Sequence, residues 1–264
     1  STRCDSAAAA YVYTGQSIRI ASQPPSPEEF VIVDEIVIDD IFLDEITTGK
    51  NGTSPDYISK YLANANLSIP PLSIPQTDPI QLQAVIGTIE LLKQAGIHHS
   101  QLDTKSISVI AASCTGLPKA WEFCARVGYD GLLNKMKLCS AESQNLVQEC
   151  KQNLTPVTED IGPGILNNII AAKVSNTFNL TGTNYNVDAN QASLAIALDS
   201  ARQELNKGSS AVIIIHSHDH IASDQDGMKI ERLGLHCIFL TKKSTALEKS
   251  YPIKSILKKN RYVE

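Results

Sequence analysis

The sequence lacks the long hydrophobic runs and the basic clusters that mark two large classes of protein. No apolar stretch among its 264 residues approaches the roughly 20 residues that a membrane-spanning helix needs. The net charge is -5, and the only basic cluster is Lys258 to Arg261, near the end of the chain. We therefore expect neither a membrane partner nor a nucleic-acid partner.

Paired cysteine motifs are also missing. The six cysteines are irregularly spaced and include no CxxC pair, which argues against a zinc site and against a disulfide framework. Scattered cysteines are typical of buried thiols in a reducing compartment, so we expect a cytoplasmic protein. The first ten residues lack a secretion signal, and the absent initiator methionine suggests a piece of a longer chain. Nothing in the sequence indicates a cofactor.

What is present fits an ordered α/β protein. Hydrophobic residues make up 42% and charged residues 19% of the chain, as in globular domains. Prolines 24, 25 and 27 end a first segment or linker, residues 1–29, so we expect one domain over residues 30–264.

Strand and helix patterns alternate along that domain, which predicts layers of helices around a sheet. Asp78 and Pro79 form a good helix start, and Gly96 can end that helix. Residues 47–55 and 70–79 read as loops, and Gly162 to Gly164 as a turn. The other predicted helices are Ala141 to Leu154, Ile165 to Phe178 and Gln191 to Leu205, and the predicted strands are Phe30 to Leu43, Ile107 to Ala112, Tyr185 to Val187, Ala211 to Ile215, Leu235 to Leu240 and Tyr251 to Leu257.

One segment resembles a known active site. Residues Asn179 to Leu194 read NLTGTNYNVDANQASL. This is similar to the nucleophile stretch of β-ketoacyl synthases (ketosynthases) in the thiolase superfamily: Leu-Thr-Gly, a strand ending in Val-Asp, two small residues, the catalytic Cys, then a helix. Further similarity lies in Asp78 to Leu82, in Ile107 to Gly116 and in Ile165 to Leu180. The resemblance covers roughly Pro75 to Leu257 and implies the N-terminal half of a thiolase-like α/β fold, a mixed sheet with helices on its faces.

The nucleophile position holds Gln191 instead of cysteine. In the family, a strand-to-helix elbow places the thiol at a helix N-terminus, where the dipole lowers its pKa. Here the elbow is Asn190, Gln191 and Ala192, and an amide cannot form an acyl-enzyme. The family's two catalytic histidines belong to a C-terminal repeat, which would begin near Leu257, so we expect no catalysis by this chain alone.

The resemblance extends to chain-length factors, the inactive partners of ketosynthases, in which Gln-Ala precedes small residues and Leu. Gln191 to Leu194 is similar to this pattern. The resemblance implies that this chain forms a heterodimer with an active ketosynthase and shapes the channel that holds a polyketide or fatty acyl chain. It also implies that contact with acyl carrier protein is indirect. The family's dimers join at the strand before the nucleophile, here Asn184, Tyr185, Asn186, Val187 and Asp188. Two alternatives are a decarboxylating ketosynthase fragment and a structural domain of a multienzyme.

A third alternative is a zinc hydrolase. His216, His218 and His220 follow an apolar strand and resemble the His-x-His-x-Asp-His motif, with one residue missing before Asp219. Only His236 remains downstream as a further histidine ligand, so we favour no native metal site. For the remaining candidates we favour interpretations without a functional site. These are a solvated pair for His98 and His99, a structural turn for Cys114, and solvated acidic loops for Asp39, Asp40, Asp44 and Glu45.

Overall fold

The computed structural model describes residues 29–38, 55–113, 118–136, 140–152, 154, 156–223 and 229–257. Six strands form one mixed sheet in the order β3-β2-β4-β5-β1-β6. The strands are β1 (Phe30–Ile38), β2 (Ile107–Ala112), β3 (Asn184–Val187), β4 (Ala211–Ser223), β5 (Lys229–Lys242) and β6 (Ser255–Ile256). The helices are α1 (Pro55–Asn64), α2 (Pro79–Gln94), α3 (Pro118–Met136), α4 (Ala141–Gln152), α5 (Ile161–Gly164), α6 (Ile169–Phe178), α7 (Ser193–Lys207) and α8 (Lys243–Glu248).

The centre of the sheet is parallel and one side of it is antiparallel. Strand β2 pairs in parallel with β3 and with β4. Strands β4 and β5 form a long hairpin, and β1 runs antiparallel to both β5 and β6. The prediction of a mixed sheet with helices on its faces is confirmed.

Helices cover both faces of the central strands. On one face, Ile213 and Ile215 join a core with α1, α2 and α6. On the other, Val212 and Ile214 pack with Ala197, Leu198, Ala201 and Leu205 of α7. A strand buried on both faces reads as a continuous apolar run, which is why the sequence of residues 211–215 predicts a covered strand correctly.

Asp78 connects two helix starts. Its Oδ1 accepts from the Ile80 N–H at 3.1 Å and caps α2, while its Oδ2 accepts from the Lys119 N–H of α3 at 2.9 Å. The side chain is fully buried, and burial raises the pKa of this carboxyl, although the two N–H donors act in the opposite direction. The predicted helix start at Asp78-Pro79 is therefore confirmed, with a second helix attached to the same carboxylate.

Several predicted boundaries were wrong. Strand β4 continues through Ser223, because β5 pairs with it residue by residue as far as Lys229. Beyond the last pairs with β1 and β2, residues 217–223 and 229–234 form a two-stranded ribbon. Helix α6 begins at Ile169, α7 begins at Ser193, and only Ser255–Ile256 of the last predicted strand is extended. Residues 161–164 form a helical turn.

Three helices were missed: α1, α3 and α8. Helix α4 has no buried residue. The Arg126 guanidinium of α3 attaches it by donating to the carbonyls of Lys151, in α4, at 2.5 Å and of Leu154, just after α4, at 3.1 Å. Among the described helices, none is both long and apolar enough to cross a membrane. The expectations for Asp39, Asp40, Asp44, Glu45, Cys114 and residues 1–28 lie outside the described residues, so the domain boundary at residue 29 stays a prediction.

The cysteines only partly match the expectation of buried thiols. Cys237 is fully buried between strands and helices, and burial raises the pKa of its thiol to about 12, so it stays protonated at neutral pH. Cys124 is exposed on α3, and Cys150 is half-buried.

Gly182 allows the chain leading to β3 to lie directly against β2, and this close approach yields a prediction. A Cβ at Gly182 would lie 2.1 Å from the carbonyl oxygen of Ile107, whereas nothing lies within 4 Å of one at Gly131 in α3. Gly182→Ala should lower the free energy of unfolding by roughly 2–3 kcal/mol through this clash. The control Gly131→Ala should raise it by about 0.5–1 kcal/mol, because alanine favours helix. Urea denaturation would measure both; equal effects of the two substitutions would contradict this contact.

Candidate functional site

The elbow lies at the carboxyl end of β3. After Val187 the chain enters a short 3₁₀ turn, Asn190–Ala192, and then α7. Asn190 has a left-handed backbone, φ 51°, which asparagine tolerates better than most residues. The buried Ser193 hydroxyl fixes this turn, since it donates to the Asn190 carbonyl at 2.7 Å and accepts from the Ala189 N–H at 2.9 Å.

The predicted elbow residues are brought together, and all three side chains are at least partly exposed. Asn190, Gln191 and Ala192 occupy consecutive positions of the turn, at the positive end of the α7 dipole. An ionisable thiol would be stabilised there, whereas the Gln191 amide has no proton to lose near neutral pH. The backbone thus forms an elbow without a nucleophile on it.

A polar cluster that the sequence did not predict lies beside the elbow. The amides of Asn167 and Asn186 both donate to the Ser113 carbonyl, at 3.1 Å and 3.4 Å, where β2 ends. The Ser113 N–H donates to the Val187 carbonyl at 3.1 Å, and the Ser217 hydroxyl donates to the Ser113 hydroxyl at 2.6 Å. These bonds hold the ends of β2, β3 and β4 in register. The asparagines after Gly164 are the only signal in the sequence, and the helical pattern around them conceals it.

Strand β3 forms one edge of the described sheet, as a dimer-interface strand would. The carbonyls of Thr183 and Val187 accept from β2, so alternation directs the backbone groups of residues 183, 185 and 187 toward β2. The backbone N–H and C=O groups of Asn184 and Asn186 therefore point to the open edge. Within the described residues no other strand pairs there.

The side chains of the predicted interface are partly covered. Asn184 and Asp188 are the outer members of the segment, and Tyr185, Asn186 and Val187 between them are half-buried. Tyr185 packs against the α7 face of the sheet and hydrogen-bonds Ser200, and burial raises the pKa of its phenol. The structure thus brings all five residues to one sheet edge, although their role in an interface stays a prediction.

His216 lies inside strand β4 and not in a loop after it, which corrects the sequence prediction. Its Nδ1 donates to the Ala112 carbonyl at 2.9 Å, because a carbonyl can only accept. Burial lowers the pKa of His216, and neighbouring His236 lowers it further. His236 is directly opposite in the ladder, with its Nε2 3.1 Å from Glu35 Oε2.

His218 and His220 also belong to β4, opposite Gly234 and Arg232. An extended strand places the Cα atoms of His216 and His220 about 13 Å apart, whereas zinc needs ligand atoms at about 2 Å. In the part of the chain that the structure describes, no three His, Cys, Asp or Glu side chains are grouped to hold a metal ion. The ladder with β5 is the physical reason that the expected loop is absent.

Comparison with known proteins identifies the family. Residues 43–237 match the family model "Beta-ketoacyl synthase, N-terminal domain". The chain therefore belongs to the β-ketoacyl synthase family. Over 135 residues, half of this chain, it is 33% identical to a polyunsaturated fatty acid synthase polypeptide of Thraustochytrium sp. (strain ATCC 26185 / S-3). The matched segment spans 5% of that protein's own length.

A solved structure agrees on the fold. A chain of the AntDE:AntF complex, a type II polyketide synthase acyl carrier protein with its ketosynthase bound to the hexaketide, aligns with a TM-score of 0.54 at 12% identity. The alignment covers 88% of this chain and 67% of that one. The oxazolomycin ketosynthase domain OzmH KS8 of Streptomyces albus JA3453 aligns at 15% identity over 88% of this chain and 52% of its own, with a TM-score of 0.49. The predicted thiolase-like fold is confirmed.

The strand geometry of the histidines leads to a metal prediction. After dialysis against a chelator, the protein should retain no stoichiometric zinc, since three tight ligands from one extended strand cannot surround one ion. Inductively coupled plasma mass spectrometry would measure the content. His216→Ala and His218→Ala should match the control His98→Ala. Zinc that survives dialysis and is lost in each β4 variant would instead favour the hydrolase alternative.

Proposed function

We propose that this member of the β-ketoacyl synthase family is a non-condensing subunit or domain, similar to a chain-length factor, that pairs with an active ketosynthase. The observation that carries the proposal is Gln191, an exposed amide in the turn that leads from β3 into α7. The elbow backbone is retained, while the group that would carry an acyl chain is absent. This combination suits a partner that contributes shape and contacts.

The chemistry of the elbow supports a role without acyl transfer. A condensing enzyme must form a thioester on its nucleophile, and an amide nitrogen is too weakly nucleophilic to attack an acyl thioester. The nearby hydroxyls of Ser113 and Ser217 are buried and hydrogen-bonded to each other at 2.6 Å, at the ends of adjacent strands. This local network serves to hold the strand ends in place.

The relatives suggest the biosynthetic setting. One belongs by name to a polyunsaturated fatty acid synthase, and another is a ketosynthase complex with an acyl carrier protein and a hexaketide. We infer that the present chain works in fatty acid or polyketide synthesis, where its ketosynthase partner receives chains from an acyl carrier protein. Contact with the carrier protein would be indirect, through that partner.

Two adjacent surfaces suit the partner. The open edge of β3 offers the backbone groups of Asn184 and Asn186, which can extend the sheet by another strand. Helix α7, which follows the elbow, buries one stripe but leaves Ile196 43% exposed. The first three turns of α7 carry Ala, Leu and Ile on nearly every face. A partner over the outer face of α7 would account for that apolar composition.

The first test concerns the elbow. Incubated with an activated acyl thioester, the protein should form no stable adduct on the peptide containing residues 184–195, because Gln191 cannot be acylated. Intact-protein and peptide mass spectrometry would detect one. The variant Gln191→Cys should gain a thiol with a pKa below about 8.5, measured by iodoacetamide labelling across pH, because the α7 N-terminus stabilises thiolate. Wild-type protein, mapped by peptide, controls for native cysteines. An acyl adduct at residue 191 of the wild type would refute the proposal.

The second test concerns the open edge of β3. Asn184→Pro removes one outward N–H at the first position of the strand, where proline is tolerated, so it should weaken association with a co-expressed ketosynthase about tenfold without lowering stability. Asn184→Ala keeps the N–H and serves as the matched control. Tyr185→Pro removes an N–H directed toward β2, so it should lower the unfolding midpoint instead. Analytical ultracentrifugation and thermal denaturation would report the two effects. A monomer that ignores every co-encoded ketosynthase would contradict the pairing role.

A further inference from the structure

A cavity of about 510 Å³ lies far from the elbow, between α1, the end of α2 and the end of α6. The elbow is at the carboxyl ends of β2 and β3, next to the start of α6. The cavity is at the other end of α6, near the point where the Thr181 N–H donates to the Thr104 carbonyl before β2 begins. Pockets of about 300–1,000 Å³ are the usual size for small-molecule ligands. We call this space the histidine cavity.

The floor of the histidine cavity is apolar, and one wall is aromatic. Leu92, Ile97 and Phe178 contribute buried carbon surface. The rings of His98 and His99 stack with centroids 4.6 Å apart, and His99 meets Phe178 edge-on at 6.5 Å. His99 is half-buried, whereas its position after a helix had suggested a fully solvated residue. Such a wall favours a flat ring that can stack on it.

The histidines also offer defined hydrogen-bonding groups. His98 Nδ1 lies 2.6 Å from the Ser100 hydroxyl and accepts from the Ser100 N–H at 3.3 Å, so Nε2 is the ring nitrogen that remains for a ligand. Burial, and then the neighbouring His98, lower the pKa of His99, so its ring is neutral at pH 7. The neutral imidazole of His99, which lines the cavity, carries one donor and one acceptor that a ligand can pair with.

A carboxylate completes the wall. Tyr61 donates its hydroxyl hydrogen to Glu90 Oε1, and the Lys93 ammonium lies 3.4 Å from the same oxygen. Both contacts fall on Oε1, which leaves Oε2 able to accept another hydrogen bond. Because Lys93 compensates the charge of Glu90, this rim suits an uncharged ligand that donates a hydrogen bond.

From this arrangement we propose that the histidine cavity binds an uncharged, flat heteroaromatic molecule with an amino group, of the size of a nucleoside. The ring would stack on the His98–His99 wall over the apolar floor, and the amino group would donate to Glu90. The proposal does not depend on the role of Gln191, since the two sites lie at opposite ends of the parallel strands.

The experiment uses adenosine as the probe and the full chain as the receptor. Isothermal titration calorimetry should show saturable 1:1 binding with a dissociation constant at or below about 1 mM. N6,N6-dimethyladenosine keeps the ring but lacks the amino N–H, so it should bind at least about tenfold more weakly.

Two variants locate the site. Glu90→Gln, which removes the charged acceptor, and His99→Ala, which removes the stacking wall, should each weaken adenosine binding about tenfold. Glu122→Gln is the matched control for Glu90→Gln. Glu122 forms an ion pair with Lys119 at the same three-residue spacing as Glu90 with Lys93, but it lies on α3, outside the cavity. Thermal denaturation would confirm that the variants are folded. The proposal is overturned if adenosine shows no saturable binding, or if both cavity variants bind as the wild type does.

Discussion

The fold depends on one constraint: strand β2 must be covered on both faces while it pairs in parallel on both edges. A parallel pair cannot be joined by a tight turn, so the chain must cross over through a helix between β2 and β3 and again between β3 and β4. Helix α6 makes one crossover and α7 the other, and they lie on opposite faces of the sheet. The elbow is the beginning of the second crossover, so its position follows from the pairing of the strands.

The same constraint explains what the sequence could predict. Residues 211–215 are a continuous apolar run, and residues 107–112 are apolar except for the buried Ser108. Both faces of these strands are buried, and such runs identify strands in a sequence. The second half of β4 was missed since its stability comes from backbone pairing with β5, which leaves no apolar alternation in the sequence. Helix α3 was missed because it contains two glycines, Gly128 and Gly131, and none of its described side chains is buried.

The candidate site likewise contains residues that the sequence could predict and residues that it could not. Gln191 and its neighbours could be placed from the sequence because residues 179–194 resemble the family's nucleophile stretch, and an elbow between a strand and a helix involves consecutive residues. The polar cluster around Ser113 could not, since Asn167 and Asn186 are distant from it in sequence and meet it only through the parallel register. The wall made by His98 and His99 was equally hidden: its partner Phe178 lies 79 residues further along the chain from His99. Contacts between residues that are distant in sequence therefore complete the site, and composition does not reveal those contacts.

The ribbon formed by residues 217–223 and 229–234 has a dynamic consequence. It extends about 20 Å past the point where the neighbouring strands stop. Within the described part of the chain, each of its strands therefore has one partner, whereas the inner parts of β4 and β5 have two. Two-stranded ribbons are marginally stable in water, and opening this one breaks no pairing in the rest of the sheet. Amide protons of the ribbon should therefore exchange with solvent through local opening, while those of residues 211–215 exchange only when the sheet as a whole unfolds. Strand β4 thus contains two levels of protection against hydrogen exchange, with the boundary near His216.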